Sequence, residues 1–115
     1  MDGIYMRGSW VPEDPSPVSI EFRDTFNEEY GYVPEYHSAG GYACCQVLAQ
    51  VVESTGGTDD KAMREALLRD SFATVMGDLR FTESGLPDAT IQLCQWQGDS
   101  LEVVYPENAR TKPAR

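Results

Sequence analysis

Val18, Phe22, Phe26 and Tyr30 recur every four positions, while Glu21, Arg23, Asp24, Glu28 and Glu29 fill the rest of the wheel. That spacing predicts a helix with one apolar face. Ser16 followed by Pro17 marks its start, and Gly31 its end, with Pro34 preventing resumption. Upstream, Pro12, Pro15 and Pro17 force residues 11–17 into a loop. A second helix is predicted over about residues 39–54. Its apolar residues, Tyr42, Cys44, Cys45, Val47, Leu48, Val51 and Val52, cover most of the circumference, so it should be packed on more than one side. Thr58, Asp59 and Asp60 open a third helix with acids at the positive end of its dipole, and Met63, Ala66 and Leu67 form its inner stripe.

Thereafter the pattern changes. Phe72, Val75, Leu79 and Phe81 are interrupted by Gly77 and follow no single period, and residues 83–85 read as a turn. Residues 90–97 alternate with period two, residues 98–100 make a turn, and residues 101–105 alternate again, which predicts a β-hairpin. Residues 3–10 read as an extended entry segment without a strand partner nearby. Helices first and a small sheet last is an α+β order. The partnerless first segment and the broad apolar surface of the second helix both point to further chain upstream. The start at Met1, with no basic and apolar leader behind it, reads like the middle of a longer protein.

Charge and cysteine usage narrow the chemistry. With 19 acidic and 9 basic residues among 115, the net charge of −10 disfavours nucleic-acid binding. No apolar run approaches the roughly 20 residues of a membrane-spanning helix. Cys44, Cys45 and Cys94 make no disulfide framework, and all three are expected as small core residues. His37 is the sole imidazole, which leaves no zinc-like spacing. A Cys–His nucleophile built from His37 and Cys44 or Cys45 would have to bridge about 11 Å along a helix; His37 is expected in the preceding loop, where nothing favours such a pair. Adjacent acids such as Asp59 and Asp60 point different ways on a helix and form no acid/base couple. No catalytic residue, metal ligand or cofactor is therefore predicted, and the chain is not read as an enzyme. Tyr36 and His37, ahead of the most apolar helix, can be either packing residues or the wall of a small-molecule pocket. Trp10, beside the proline-rich loop, has the same two readings.

The ordered set of segments carries more than any one of them. Residues 34–43 (PEYHSAGGYA) followed by Gln46, Val47 and Leu48, residues 72–81 (FATVMGDLRF) with Gly85, the set Phe22, Phe26, Tyr30, Gly31 and Pro34, and the ending Gln95, Trp96, Gln97, Gly98 with residues 103–106 resemble the final third of Leu/Ile/Val-type solute-binding proteins of ABC transporters. The resemblance covers nearly the whole chain.

It implies the α/β fold of type I periplasmic binding proteins, two lobes joined by three crossovers, seen here as an α+β piece of about three helices followed by a small hairpin or sheet. Residues 1–106 would be a C-terminal portion, with a helical flank of the first lobe over about 16–76, hinge and terminal strands over about 77–106, and a flexible tail at 107–115. The implied function is capture of a small organic solute (a branched-chain or hydrophobic amino acid, an amide or an aromatic acid) for an ABC importer. A ligand-sensing domain of a regulatory or signalling protein is the alternative. His37 falls near a ligand-contacting position where the family carries an aromatic, Tyr36 is its neighbour, and Trp10 lies near a hinge; these three are the implied ligand-binding residues. The implied partner is an ABC permease, the implied location periplasmic or extracytoplasmic and membrane-associated, and uncovered apolar faces imply self-association.

Overall fold

Ser16 takes an extended backbone and accepts a hydrogen bond from the Ser19 amide, and Pro17 follows it into helix α1 (Pro17–Tyr30). The helix ends where Gly31, at φ 77°, donates to Asn27 O at 2.9 Å, a left-handed conformation that favours glycine. This is a computed structural model, and it describes residues 2–88 and 91–115. Met1 and the expected strand start at Thr90 lie outside the described residues. The other elements are β1 (Tyr5–Gly8), α2 (Tyr36–Thr55), α3 (Asp60–Arg69), β2 (Phe72–Thr74), β3 (Gly77–Leu79), β4 (Gln92–Gln97) and β5 (Ser100–Tyr105), followed by a 3-10 turn (Glu107–Ala109). They fall into two compact units, Met1–Ala39 with Thr90–Arg115, and Gly40–Ala89.

The first unit is built on an antiparallel sheet of order β1-β4-β5. β1 thus has its partner within this chain: Tyr5 sits opposite Gln95 and Met6 opposite Cys94. The missing partner inferred above is corrected by this pairing, whose sequence separation put it beyond any local pattern. Val11, Cys94 and Val103 form a buried cluster on one side of the sheet. β1 lies so close to β4 there that a Cβ on Gly8 would run into Cys94 Sγ. On α1, only Ser19 and Phe22 are buried, while Val18, Ile20 and Tyr30 are exposed.

The opposite side of the sheet is polar. Gln95, Gln97 and Glu102 are buried there, and residues 111–115, read above as a flexible tail, supply their partners. Glu102 accepts from Ser100 Oγ at 2.7 Å, from Thr111 Oγ1 at 2.6 Å and from Lys112 Nζ. Gln95 Oε1 accepts from the Arg115 amide at 2.9 Å, and Gln97 Nε2 donates to Pro113 O at 2.7 Å. Thr111 also occupies the outer edge of β5: its amide donates to Val103 O and its hydroxyl accepts from Val103 N, each at 2.9 Å. That edge is therefore not open to another strand.

In the second unit, Val47 and Val51 of α2 pack with Ala66 of α3 and Phe72 of β2, with Met63, Leu67, Leu79 and Phe81 around them. The irregular stretch after α3 is a tight hairpin, β2 against β3, closed by Thr74, whose hydroxyl donates to Gly77 O at 2.7 Å. Strands of three residues cannot display a period, which is why the pattern missed them. Two glutamines of α2 hold the hairpin. Gln46 Oε1 accepts from Val75 N at 2.8 Å, and Gln50 donates to Ala73 O at 3.0 Å and accepts from Ala73 N at 3.3 Å.

α2 begins at Tyr36, ahead of the expected start, because Glu35 O already accepts from Ala39 N at 3.1 Å. His37 is accordingly on the helix and not in the preceding loop. One stripe of α2 (Ala39, Ala43, Val47 and Val51) is buried, and Tyr42, Leu48, Cys44 and Cys45 are exposed. Of the cysteines expected in a core, Cys94 alone is there; Cys44 and Cys45 lie off the buried stripe. α3 starts at Asp59, whose carboxylate accepts from Ala62 N at 2.9 Å. Asp59→Ala should lower stability by about 1 kcal/mol, the usual loss for an N-cap. Urea denaturation followed by circular dichroism checks this, and an unchanged midpoint would remove the cap from the account.

Candidate functional site

The loop after β1 buries the Trp10 ring at 3% exposure, edge-on to Phe22 with centroids 5.8 Å apart, and its Nε1 donates to Ser19 Oγ at 2.6 Å. An indole fixed at both ends is a rigid wall. Trp96 of β4 lies opposite Leu101 of β5, on the same side of the sheet as Met6, so register puts an indole and two aliphatic side chains together. Residues 33–36 run from α1 into α2, with Pro34 buried and Tyr36 half exposed. These segments enclose a cleft of about 400 Å3 within the first unit. Trp10, Tyr36, Trp96 and Leu101 form its apolar surface, and Glu13, Glu35, Asp99 and Ser100 its polar one.

The structure thus places two of the three candidate residues, Trp10 and Tyr36, on one cleft. His37 lies beside Tyr36 with ring centroids 4.8 Å apart and the planes tilted by 59°, is exposed, and is not among the residues lining the cleft. Sequence reading did not select Met6, Trp96 or Leu101 for the site. The signal existed in the period-two alternation of residues 90–97, but only the pairing of β1 with β4 brings those positions to the Trp10 side.

Burial pushes the Glu13 carboxyl above its ordinary range, with a smaller push from the Glu102 charge; its own backbone N–H, Lys112 and Arg23 oppose the shift. Glu102 goes the other way. Its burial favours protonation, but hydrogen bonds from Lys112, Thr111 and Ser100, and the charge on Lys112, outweigh it and lower the pKa. Glu102 is tied to the tail, so its role is structural. His37 and the Cys44–Cys45 pair share α2 at seven and eight residues' spacing, about 11–12 Å of helix rise, beyond contact distance. Among the described residues no group of three or more His, Cys, Asp or Glu side chains could hold a metal ion.

Residues 1–100 match the periplasmic binding protein family. The chain belongs to that family. It is 35% identical over 75 residues to a Leu/Ile/Val-binding protein homolog 1 from Brucella suis, a match covering 64% of this chain and 19% of the relative. An ABC-transporter solute-binding protein of R. palustris, solved with benzoate, superposes with TM-score 0.78 at 22% identity, over 99% of this chain and 31% of that one. A substrate-binding protein of Desulfitobacterium hafniense, solved with Leu, gives 0.74 at 23% identity, over 89% and 31%. These likenesses show the fold expected from the sequence, that of type I periplasmic binding proteins. The chain spans about a fifth of the length of the curated relative and about three tenths of the solved structures.

Proposed function

We propose that this chain is part of a solute-binding protein that captures a small organic solute outside the cytoplasm and delivers it to an ABC permease. The family match over residues 1–100 carries the reading. It is supported by relatives named for binding Leu, Ile and Val, and by a fold shared with proteins solved with leucine and with benzoate. The proposed solute class spans branched-chain and other hydrophobic amino acids, amides and aromatic acids. A binding protein needs a concave, largely apolar surface with a few polar groups and no reactive pair, and the Trp10–Tyr36–Trp96 cleft has that character. In this proposal Trp10 and Tyr36 are walls of the solute site and His37 stands beside Tyr36. Residues 16–76 correspond to a helical flank of one lobe, and residues 77–106 to hinge and terminal strands. Exposed apolar residues such as Tyr42 and Leu48 of α2 are surfaces for the rest of that fold, and the source of self-association when it is absent.

Trp10 and Trp96 both lie on the cleft, so tryptophan emission reports occupancy. Titration of the whole polypeptide carrying this chain with leucine, isoleucine, valine and benzoate should change emission saturably for at least one solute. At a concentration of a hundred times Kd, that solute should raise unfolding stability by about 2.7 kcal/mol. Silence of both emission and calorimetry for all four solutes overturns the proposal.

A further inference from the structure

The charge of the cleft is one-sided. Glu13, Glu35 and Asp99 contribute three carboxylates, and among the described residues no Lys, Arg or His lines it. None of the three is in an ion pair among the described residues. The cations that act on Glu13 are already engaged: Arg23 pairs with Asp24 at 2.9 Å while its Nη1 donates to Pro12 O at 3.2 Å, and Lys112 is held by Glu102. The remaining wall is apolar apart from Ser100, and Trp10, Tyr36 and Trp96 are its aromatic part. The face of an aromatic ring carries negative potential, and a cation seated over it gains roughly two- to thirtyfold in affinity. The net charge of −10 adds a general field of the same sign.

We infer that the cleft selects solutes presenting a positively charged group on an apolar body, an alkyl- or arylalkyl-ammonium, over neutral or anionic molecules of the same shape. This deepens the proposed function and rests on it in one respect, that the cleft is where solute sits. An ammonium there meets aromatic residues and carboxylates together, and each carboxylate gains an ion-pair partner that it lacks among the described residues. An anion of the same size meets three like charges and no donor cation. Ser100 is no substitute, since its hydroxyl is committed to Glu102 at 2.7 Å.

Three probes of nearly one shape test this: benzylamine (a cation at pH 7), benzyl alcohol and benzoate, titrated at low ionic strength and followed by tryptophan emission and calorimetry. Benzylammonium should bind about tenfold tighter than benzyl alcohol, within the range of cation–aromatic attraction reinforced by carboxylates, with benzoate weakest. The double variant Glu35→Gln with Asp99→Asn should cut that preference to about threefold or less. Equal binding of benzyl alcohol or benzoate overturns the charge preference while leaving the cleft a solute site. So does an unchanged preference in the double variant. If none of the three binds, the inference falls, and leucine titrated in parallel decides separately whether solute capture falls with it.

Discussion

Trp10→Ala should lower the stability of the first unit by about 3–5 kcal/mol, the range for truncating a large buried aromatic. Trp10 is 3% exposed, meets Phe22 edge-on at 5.8 Å, and is the donor to Ser19 Oγ at 2.6 Å. The substitution empties a site walled by Phe22 and the proline loop, whose fixed φ angles limit collapse into the gap. Trp10→Phe keeps most of the apolar contact and loses the hydrogen bond, a loss of about 1 kcal/mol plus a smaller packing term. A domain's whole stability is about 5–15 kcal/mol, so the alanine variant should be largely unfolded at modest urea and the phenylalanine variant folded. Urea denaturation read by near-ultraviolet circular dichroism separates them. Equal midpoints for the two variants would show that Trp10 is not the keystone of this packing.

The second large effect concerns Lys112. Lys112→Met removes the cation paired with Glu102, whose side chain is 3% exposed, and leaves Ser100 and Thr111 to hold the carboxylate among the described residues. Breaking a buried pair in this way costs about 3 kcal/mol, at the low end of the usual range because the ammonium itself is half exposed. The pH dependence has a defined sign. Glu102's folded pKa lies below its ordinary value of 4.5, so its stabilisation is complete above that value and is lost as pH falls through the lowered one. Glu13, raised by burial, acts in the opposite direction and favours the fold as it protonates. Between pH 7 and 3 the wild type should therefore lose more stability than Lys112→Met, the two converging in acid. Hydrogen exchange at the Thr111 and Arg115 amides, which donate to Val103 O and Gln95 Oε1, should accelerate in the variant at pH 7. Parallel stability curves for the two proteins would contradict the account.

Local signals carried much of the fold. Ser16 and Pro17 placed the start of α1, Gly31 its end, and Thr58 with Asp59 and Asp60 the start of α3, because a helix end is read from two or three adjacent residues. The β4–β5 hairpin was legible from alternation on either side of a short turn. What could not be read was set by tertiary pairing. β1 finds β4 some 90 residues away (Tyr5 opposite Gln95), and β2 with β3 is held by Gln46 and Gln50, polar residues that a helical wheel assigns to solvent. The site shows the same divide. Trp10 and Tyr36 could be singled out as aromatics at segment boundaries, whereas Trp96, Met6 and Leu101 join them only through sheet register. Cys44 and Cys45 illustrate the limit of composition: small apolar residues on an apolar helix, they face outward because a single stripe of that helix is covered.

The sheet order β1-β4-β5 also fixes a sequence of events during synthesis. The unit of α3 and its hairpin is contiguous along the chain, Gly40–Ala89, and every contact of its Val47–Phe72 core is present once Phe81 has left the ribosome. The other unit is interrupted. Its first strand, β1, is made before Gln92–Gln97 and pairs with that strand only after it has been made. Closing so long a loop is entropically costly only in a slowly growing way, yet it delays assembly of the cleft until β4 and β5 have been made. A ribosome stalled before residue 92 would therefore carry the residues of the Val47–Phe72 core but not those of the cleft.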